Sequence, residues 1–240
     1  MSQLPTQPLS PLDGRYAKQV AGLGDFLSEA GLNKARVHVE VEWLVYLTQH
    51  ELLGSAPLDA AEVATLRTWA ANFGQAEIDE LAETERVTQH DVKAVEYLVR
   101  AQLSRQGLDH IAELTHVACT SEDINNLSYA LTVKQAVAEV WQPKLEAVIA
   151  ELARQAEQYR ELPMMSRTHG QPATPTTLGK ELAVFVHRLN RQVAQIAQVE
   201  YLGKFSGATG TFAAHIAADP TVDWQRVSRE FVEGLGLDLN

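Results

Sequence analysis

Apolar residues recur along this chain at helical spacing and almost nowhere at the two-residue alternation of a half-buried strand. Between Asp25 and Leu53, Val37, Val41, Leu44 and Thr48 share one face, extended by Val45 and Leu52, which predicts a long first helix ended by Gly54 to Pro57. Two helices follow, over roughly Asp59 to Asn72 and Gln75 to Arg86. Val87 to His90 reads as a break. Asp91 is then expected to cap a helix that runs through Ser104 and stops at Gly107. The strongest pattern starts at Ile124. A seven-residue row runs Ile124, Leu131, Ala138, Leu145, Leu152, Tyr159, interleaved with Leu127, Trp141 and Val148. Thr120 and Asp123 have capping-box spacing at its start, and Pro143 should kink or break it. Thr174-Pro175 is expected to open the next helix, with proline in the first helical position and Leu182, Phe185, Leu189, Ile196 and Val199 on its face. Gly203 to Gly210 is irregular, and Asp223 starts a last helix that ends near Gly234. Residues 1–24 carry prolines and glycines without a period and read as an extended arm with turns.

The pattern predicts an all-α chain. Its helices are too long for a compact four-helix bundle, and such apolar seams are most simply buried against other subunits. A boundary near Gly107 to Asp109 divides an N-terminal helical domain, 1–108, from an elongated helical one, 109–240.

Composition narrows the function classes. A net charge of -11 argues against nonspecific nucleic-acid binding, which needs a basic footprint, but leaves room for an anionic small molecule held by local arginines or helix N-termini. The single cysteine, Cys119, rules out an internal disulfide and fits a reducing compartment. The N-terminus has no basic region followed by an apolar run, and no apolar stretch is long enough to span a bilayer. A cytoplasmic location without a membrane partner is therefore expected. The histidines lack metal-ligand spacing, and the chain has no Walker loop and no strand-linked GxGxxG, so neither a metal nor a cofactor is implied.

Polar residues gather at four breaks between helices. Asp13-Gly14-Arg15-Tyr16 reads either as a surface turn with a local salt bridge or as an arginine fork for phosphate or carboxylate. In Thr88-Gln89-His90-Asp91, the carboxylate either holds the imidazole charged or simply caps its helix. Thr120-Ser121-Glu122-Asp123, followed by Asn125 and Asn126, is a capped helix start whose hydroxyls and free N–H groups suit a substrate carboxylate. The fourth runs from Ser166 to Pro175. There His169 sits among the donors Arg167, Thr168 and Gln171 on a polar turn, where an imidazole gives or takes a proton near neutral pH.

The words Thr120 to Asp123 with Asn125-Asn126, and Ser166 to Pro175, resemble two of the three signature regions of the fumarase/aspartase superfamily. Asp13 to Tyr16 and His90-Asp91-Val92-Lys93-Ala94-Val95-Glu96-Tyr97 narrow the resemblance to the bacterial adenylosuccinate lyases, along essentially the whole chain. The resemblance implies a long-helix bundle of the fumarase/aspartase type, a homotetramer with each site built from three subunits, and β-elimination of fumarate. The substrates would be adenylosuccinate, giving AMP, and the succinylated aminoimidazole carboxamide ribotide of purine synthesis. By position it implies His169 as general acid and His90 as a second site histidine. Thr120 and Ser121 would hold the succinyl carboxylate, and Arg15 and Tyr16 the phosphate. Gln89, standing where asparagine is common, and Asp91 would flank the pocket, with Thr168 and Gln171 orienting His169 or substrate. The third signature, a Gly-Ser-Ser-x-Met-Pro-x-Lys-x-Asn loop carrying the serine base, has no counterpart here: there is no Ser-Ser pair, and methionine occurs only at 1, 164 and 165. The resemblance thus implies an N-terminal portion of such an enzyme, inactive alone. Alternative readings are another fumarate-releasing lyase, or a non-catalytic helical module for nucleotide binding or oligomerisation.

Overall fold

The computed structural model describes residues 8–240; the first seven residues of the expected N-terminal arm lie outside the described residues. The chain is all-α. In order come α1 (Ala17–Val20), α2 (Gly24–Leu27), α3 (Glu29–Gln49), α4 (Ala60–Ala71), α5 (Gln75–Thr88), α6 (Asp91–Arg105), α7 (Ser121–Gln135), α8 (Gln142–Gln158), α9 (Leu178–Ile196), α10 (Ala213–Ala218) and α11 (Trp224–Gly234). The strands are two-residue pairs: β1 (Pro163–Met164) antiparallel to β4 (Thr176–Thr177), β2 (Arg167–Thr168) antiparallel to β3 (Gln171–Pro172), and β5 (Leu202–Gly203) parallel to β6 (Asp238–Leu239). The chain folds into two compact units. One takes the described residues up to Lys134 together with Tyr201–Asn240; the other is Gln135–Glu200.

The first unit is organised around α3, which buries apolar residues on more than one face. Val37, Val41, Leu44 and Val45 pack with residues of α4, α5 and α6 in one cluster. Val39, Trp43 and Leu47 pack with Ile124, Leu127 and Leu131 of α7, Phe205, and Trp224, Phe231 and Val232 of α11 in the other. The expected helix from Asp25 is interrupted at Ser28. That residue is extended (φ -79°, ψ 167°), and its hydroxyl accepts the Gly31 N–H at 3.1 Å, so a fresh helix starts at Glu29. α5 runs two residues past its expected end and is stopped by Gln89 in the left-handed region (φ 53°). Asp91 does not cap α6. His90 does, its Nδ1 accepting the Lys93 N–H at 3.2 Å, and this frees the Asp91 carboxylate for a partner elsewhere. Gly107 (φ 73°) supplies the left-handed stop after α6.

In the second unit, α8 and α9 pack on each other. Gly179 permits the approach: a Cβ there would lie 2.2 Å from the Ala156 carbonyl oxygen. The expected effect of Pro143 takes the form of a π-helical turn, Ala136–Trp141, leading into α8 with the proline in its first turn. The wider turn accommodates the ring near the carbonyl four residues back and the missing N–H. α9 does not open at Thr174-Pro175. Thr176 and Thr177 are drawn into the pairing with β1, and Thr177 Oγ1 caps α9 by accepting the Lys180 N–H at 3.2 Å. Trp141, Val148, Phe185 and Val199 are exposed, Phe185 at 56%. Among the described residues, no helix is long and apolar enough to cross a membrane.

Candidate functional site

Two helix starts in the first unit carry most of the candidate residues, and a buried arginine links them. Arg36, on α3, is 4% exposed. Its guanidinium donates from Nε to Asn125 Oδ1 (2.9 Å), from Nη1 to Asn33 Oδ1 (2.8 Å) and from Nη2 to Asp91 Oδ2 (2.7 Å). Asp91 opens α6 and Asn125 lies in the first turns of α7. The Asn125 amide nitrogen donates to Glu122 Oε1 at 2.9 Å. Burial alone would raise the Asp91 carboxyl; the Val92 N–H, Arg36 and His90 outweigh it and hold Asp91 below the usual aspartate value.

The second Asp91 oxygen stands 3.6 Å from His90 Nδ1. Because that nitrogen also accepts the Lys93 N–H, the neutral ring carries its proton on Nε2, which makes Nε2 the donor available to a ligand. Gln89 is exposed, and its side chain donates to the Arg86 carbonyl at 2.8 Å. Thr88 Oγ1 donates to the His90 carbonyl at 3.1 Å.

Thr120 and Ser121 stand at the start of the fifteen-residue α7, where backbone N–H groups lack intrahelical partners and the helix dipole favours an anion. The capping box is half formed: the Thr120 N–H donates to Asp123 Oδ2 at 2.9 Å. Asp123 faces inward and is fully buried. It also accepts from Lys204 Nζ (2.8 Å) and from the N–H groups of Ser206 (3.0 Å) and Gly207 (3.1 Å), which ties the glycine-rich loop to α7.

The segment leading into Thr120 is held by a second buried pair. His116 Nδ1 lies 2.5 Å from Oε1 of Glu40, whose side chain is 0% exposed. His116 (φ 60°) and Ala118 (φ 61°) both sit in the left-handed region, which strains non-glycine residues. Burial opposes a charged His116 ring, but the hydrogen bond and charge of Glu40, then Glu96, outweigh it against Lys93, and the ring titrates above the ordinary imidazole value. Burial, then the charges of Glu40 and Asp123, push the Cys119 thiol far up, so it stays protonated and unreactive.

The remaining candidates are held by other contacts. Arg15 is stacked 4.7 Å from the Tyr16 ring on an exposed turn, and no hydrogen bond among the described residues ties either to α6 or α7. Thr168, His169 and Gln171 belong to the second unit. Thr168 and Gln171 face each other across the β2–β3 hairpin, and His169 (φ 49°) with Gly170 (φ 77°) forms its two-residue tip, the left-handed pair that such hairpins favour. His169 is exposed at that tip.

Arg36, Asn33, Glu40, His116 and Lys204 were not singled out by the sequence. The available signal was charge in the wrong place: Arg36 and Glu40 stand one helical turn apart among the apolar positions Ala35, Val37, Val39 and Val41.

Comparison with known proteins places this framework among relatives. A family model described as lyase matches residues 14–238. The adenylosuccinate lyase of Escherichia coli (strain K12) is 47% identical over 234 residues, covering 97% of this chain and 51% of that protein. The adenylosuccinate lyase of Legionella pneumophila (strain Corby) is 43% identical over the same shares. The chain thus spans about half the length of the curated relatives it matches. Among solved structures, a fumarate lyase from Mesorhizobium sp. BNC1 superposes with a TM-score of 0.71 at 24% identity, over 92% of this chain and 48% of that one. A β-carboxy-cis,cis-muconate cycloisomerase from Acinetobacter calcoaceticus sp. ADP1 gives 0.70 at 21% identity, over 92% and 49%. At such identities the likeness shows a shared fold.

Proposed function

The chain belongs to the lyase family, and from that membership we propose that its protein is an adenylosuccinate lyase. It would release fumarate from adenylosuccinate to leave AMP, and from the succinylated aminoimidazole carboxamide ribotide by the same elimination. The observation that carries this reading is the 47% identity over 234 residues to an enzyme named for that substrate.

In the proposed reaction a base takes the proton from the succinyl carbon beside a carboxylate. The electron pair becomes the double bond of fumarate, the carbon–nitrogen bond breaks, and the departing nitrogen takes a proton. His169, exposed at the tip of its hairpin, gives that proton. Thr120 and Ser121, with the N-terminal amides of α7, hold the succinyl carboxylate and the charge that develops beside it. His90 donates from Nε2 to position the substrate, with Gln89 and Asp91 flanking it. Arg15 and Tyr16 take the phosphate, and Thr168 and Gln171 brace the acid. The serine base is not among these 240 residues, so this stretch alone is proposed to have little or no turnover. The exposed Trp141, Val148, Phe185 and Val199 support self-association, proposed as a homotetramer in the cytoplasm.

The test is release of fumarate and AMP from adenylosuccinate by the complete natural polypeptide, with argininosuccinate as the comparator. Turnover of argininosuccinate in place of adenylosuccinate would show a different lyase. No elimination from either would favour a non-catalytic helical module.

A further inference from the structure

We propose that Arg36 is a positioning residue: by bridging Asp91 to Asn125 it sets the start of α6, with His90, and the start of α7, with Thr120 and Ser121, in one fixed geometry. Its catalytic consequence rests on the lyase reading above; its structural consequence does not.

Three observations carry the proposal. The first is the divided use of the fork. Each of Nε, Nη1 and Nη2 meets a different side chain, and two of those side chains belong to the two helix starts that carry candidate ligand groups. The second is the foundation. Arg36 projects from α3, which both apolar clusters grip, and Asn33 one turn earlier holds the guanidinium from behind. The third is the asymmetry of exposure. The Arg36 side chain is 5% exposed and that of Asp91 49%, so the buried cation anchors a carboxylate whose other side faces outward beside His90. A buried ion pair is poor evidence for stability, because apolar side chains of similar volume often do as well. A fork that joins two helix starts matters for geometry instead. A lysine cannot reproduce it, since one ammonium cannot reach three planar acceptors in fixed directions.

Arg36→Lys and Arg36→Met, made in the complete polypeptide, test this by two independent measurements. Hydrogen exchange read by mass spectrometry should show the first turns of α6 and α7 exchanging about tenfold faster or more in both variants, with the α3 core unchanged. Uniform protection would overturn the proposal whatever reaction the protein performs. In steady-state kinetics with adenylosuccinate, Arg36→Lys should lower kcat about tenfold or more with a smaller rise in KM. The loss from Arg36→Met combined with Asp91→Asn should fall well short of the product of the single losses. Wild-type kcat and KM in Arg36→Lys, or fully multiplicative losses in the double variant, would remove Arg36 from the role. Should Arg36→Met fail to fold, Arg36→Lys carries both measurements. A wild-type protein that does not turn over adenylosuccinate defeats the lyase reading, and the exchange experiment still decides for or against Arg36.

Discussion

His116→Ala should be among the most damaging single substitutions in the first unit, and its cost should depend on pH. The change leaves the fully buried Glu40 carboxylate without its nearest cation; its other oxygen, Oε2, already has no hydrogen-bond partner among the described residues. Removing one member of a buried pair costs about 3–5 kcal/mol, mostly as the penalty on the abandoned charge. For a chain of this length about 2–4 °C accompany each kcal/mol, so the melting temperature should fall by about 6–20 °C. The sign of the pH effect follows from the raised His116 value, which burial opposes and Glu40, with Glu96, produces. A group raised on folding contributes stability that is fully present below its unfolded value, about 6.5, and lost as pH rises through the folded value. The gap between wild type and His116→Ala should therefore be widest near pH 6 and narrow steadily toward pH 9. Urea titrations followed by far-UV circular dichroism across that range measure it. A gap below about 1 kcal/mol, or one that stays constant across the range, would refute the argument that a charged pair holds this segment.

Gly179→Ala should lower stability by about 1–3 kcal/mol, because the added methyl meets backbone at Ala156 of α8 and at Arg160 just beyond its end, where no side chain can move aside. Thermal melts against wild type check it, and an unchanged midpoint would mean the two helices are free to separate. Asp123→Ala removes the carboxylate shared by Lys204, Ser206, Gly207 and Thr120. The loss of the Lys204 partner and of those N–H bonds should cost about 3–5 kcal/mol and speed amide exchange selectively at 204–210. Exchange that rose evenly along the chain would contradict the idea that this one carboxylate holds the loop.

The long helices were legible because their signals are local and repeated. α4 and α5 follow the apolar period, Gly107 ends α6, and Asp223 caps α11 by accepting the Arg226 N–H. What escaped falls into two physical kinds. One is competition between adjacent polar residues for a single cap: Ser28, His90 and Thr177 each took it where periodicity pointed to a neighbour or ran straight through. Two-residue strands are likewise too short to show a period, so the His169-Gly170 hairpin was visible only as a turn. The other kind is pairing across sequence. Arg36 meets Asp91 across 55 residues and Asn125 across 89, and no local pattern records such a meeting. The helix starts bearing His90, Asp91, Thr120 and Ser121 could thus be located from sequence, whereas the arginine that joins two of them could not.

The first unit is built from two stretches of chain separated by the α8–α9 segment, and that order constrains how a ribosome can make it. Trp43 meets Phe205 at 4.5 Å and Phe231 at 5.0 Å between ring centroids, and Tyr46 donates to Glu230 across 184 residues of sequence. At about 5–20 residues per second, the apolar flank of α3 formed by Val39, Trp43 and Leu47 waits roughly 10–40 s for α11 to be synthesised. Until then α7 is made and can cover part of that flank, but the part that Phe205 and α11 cover stays open on the nascent chain. Slowing translation between residues 135 and 200 should therefore raise aggregation and chaperone occupancy without changing a single contact in the finished protein.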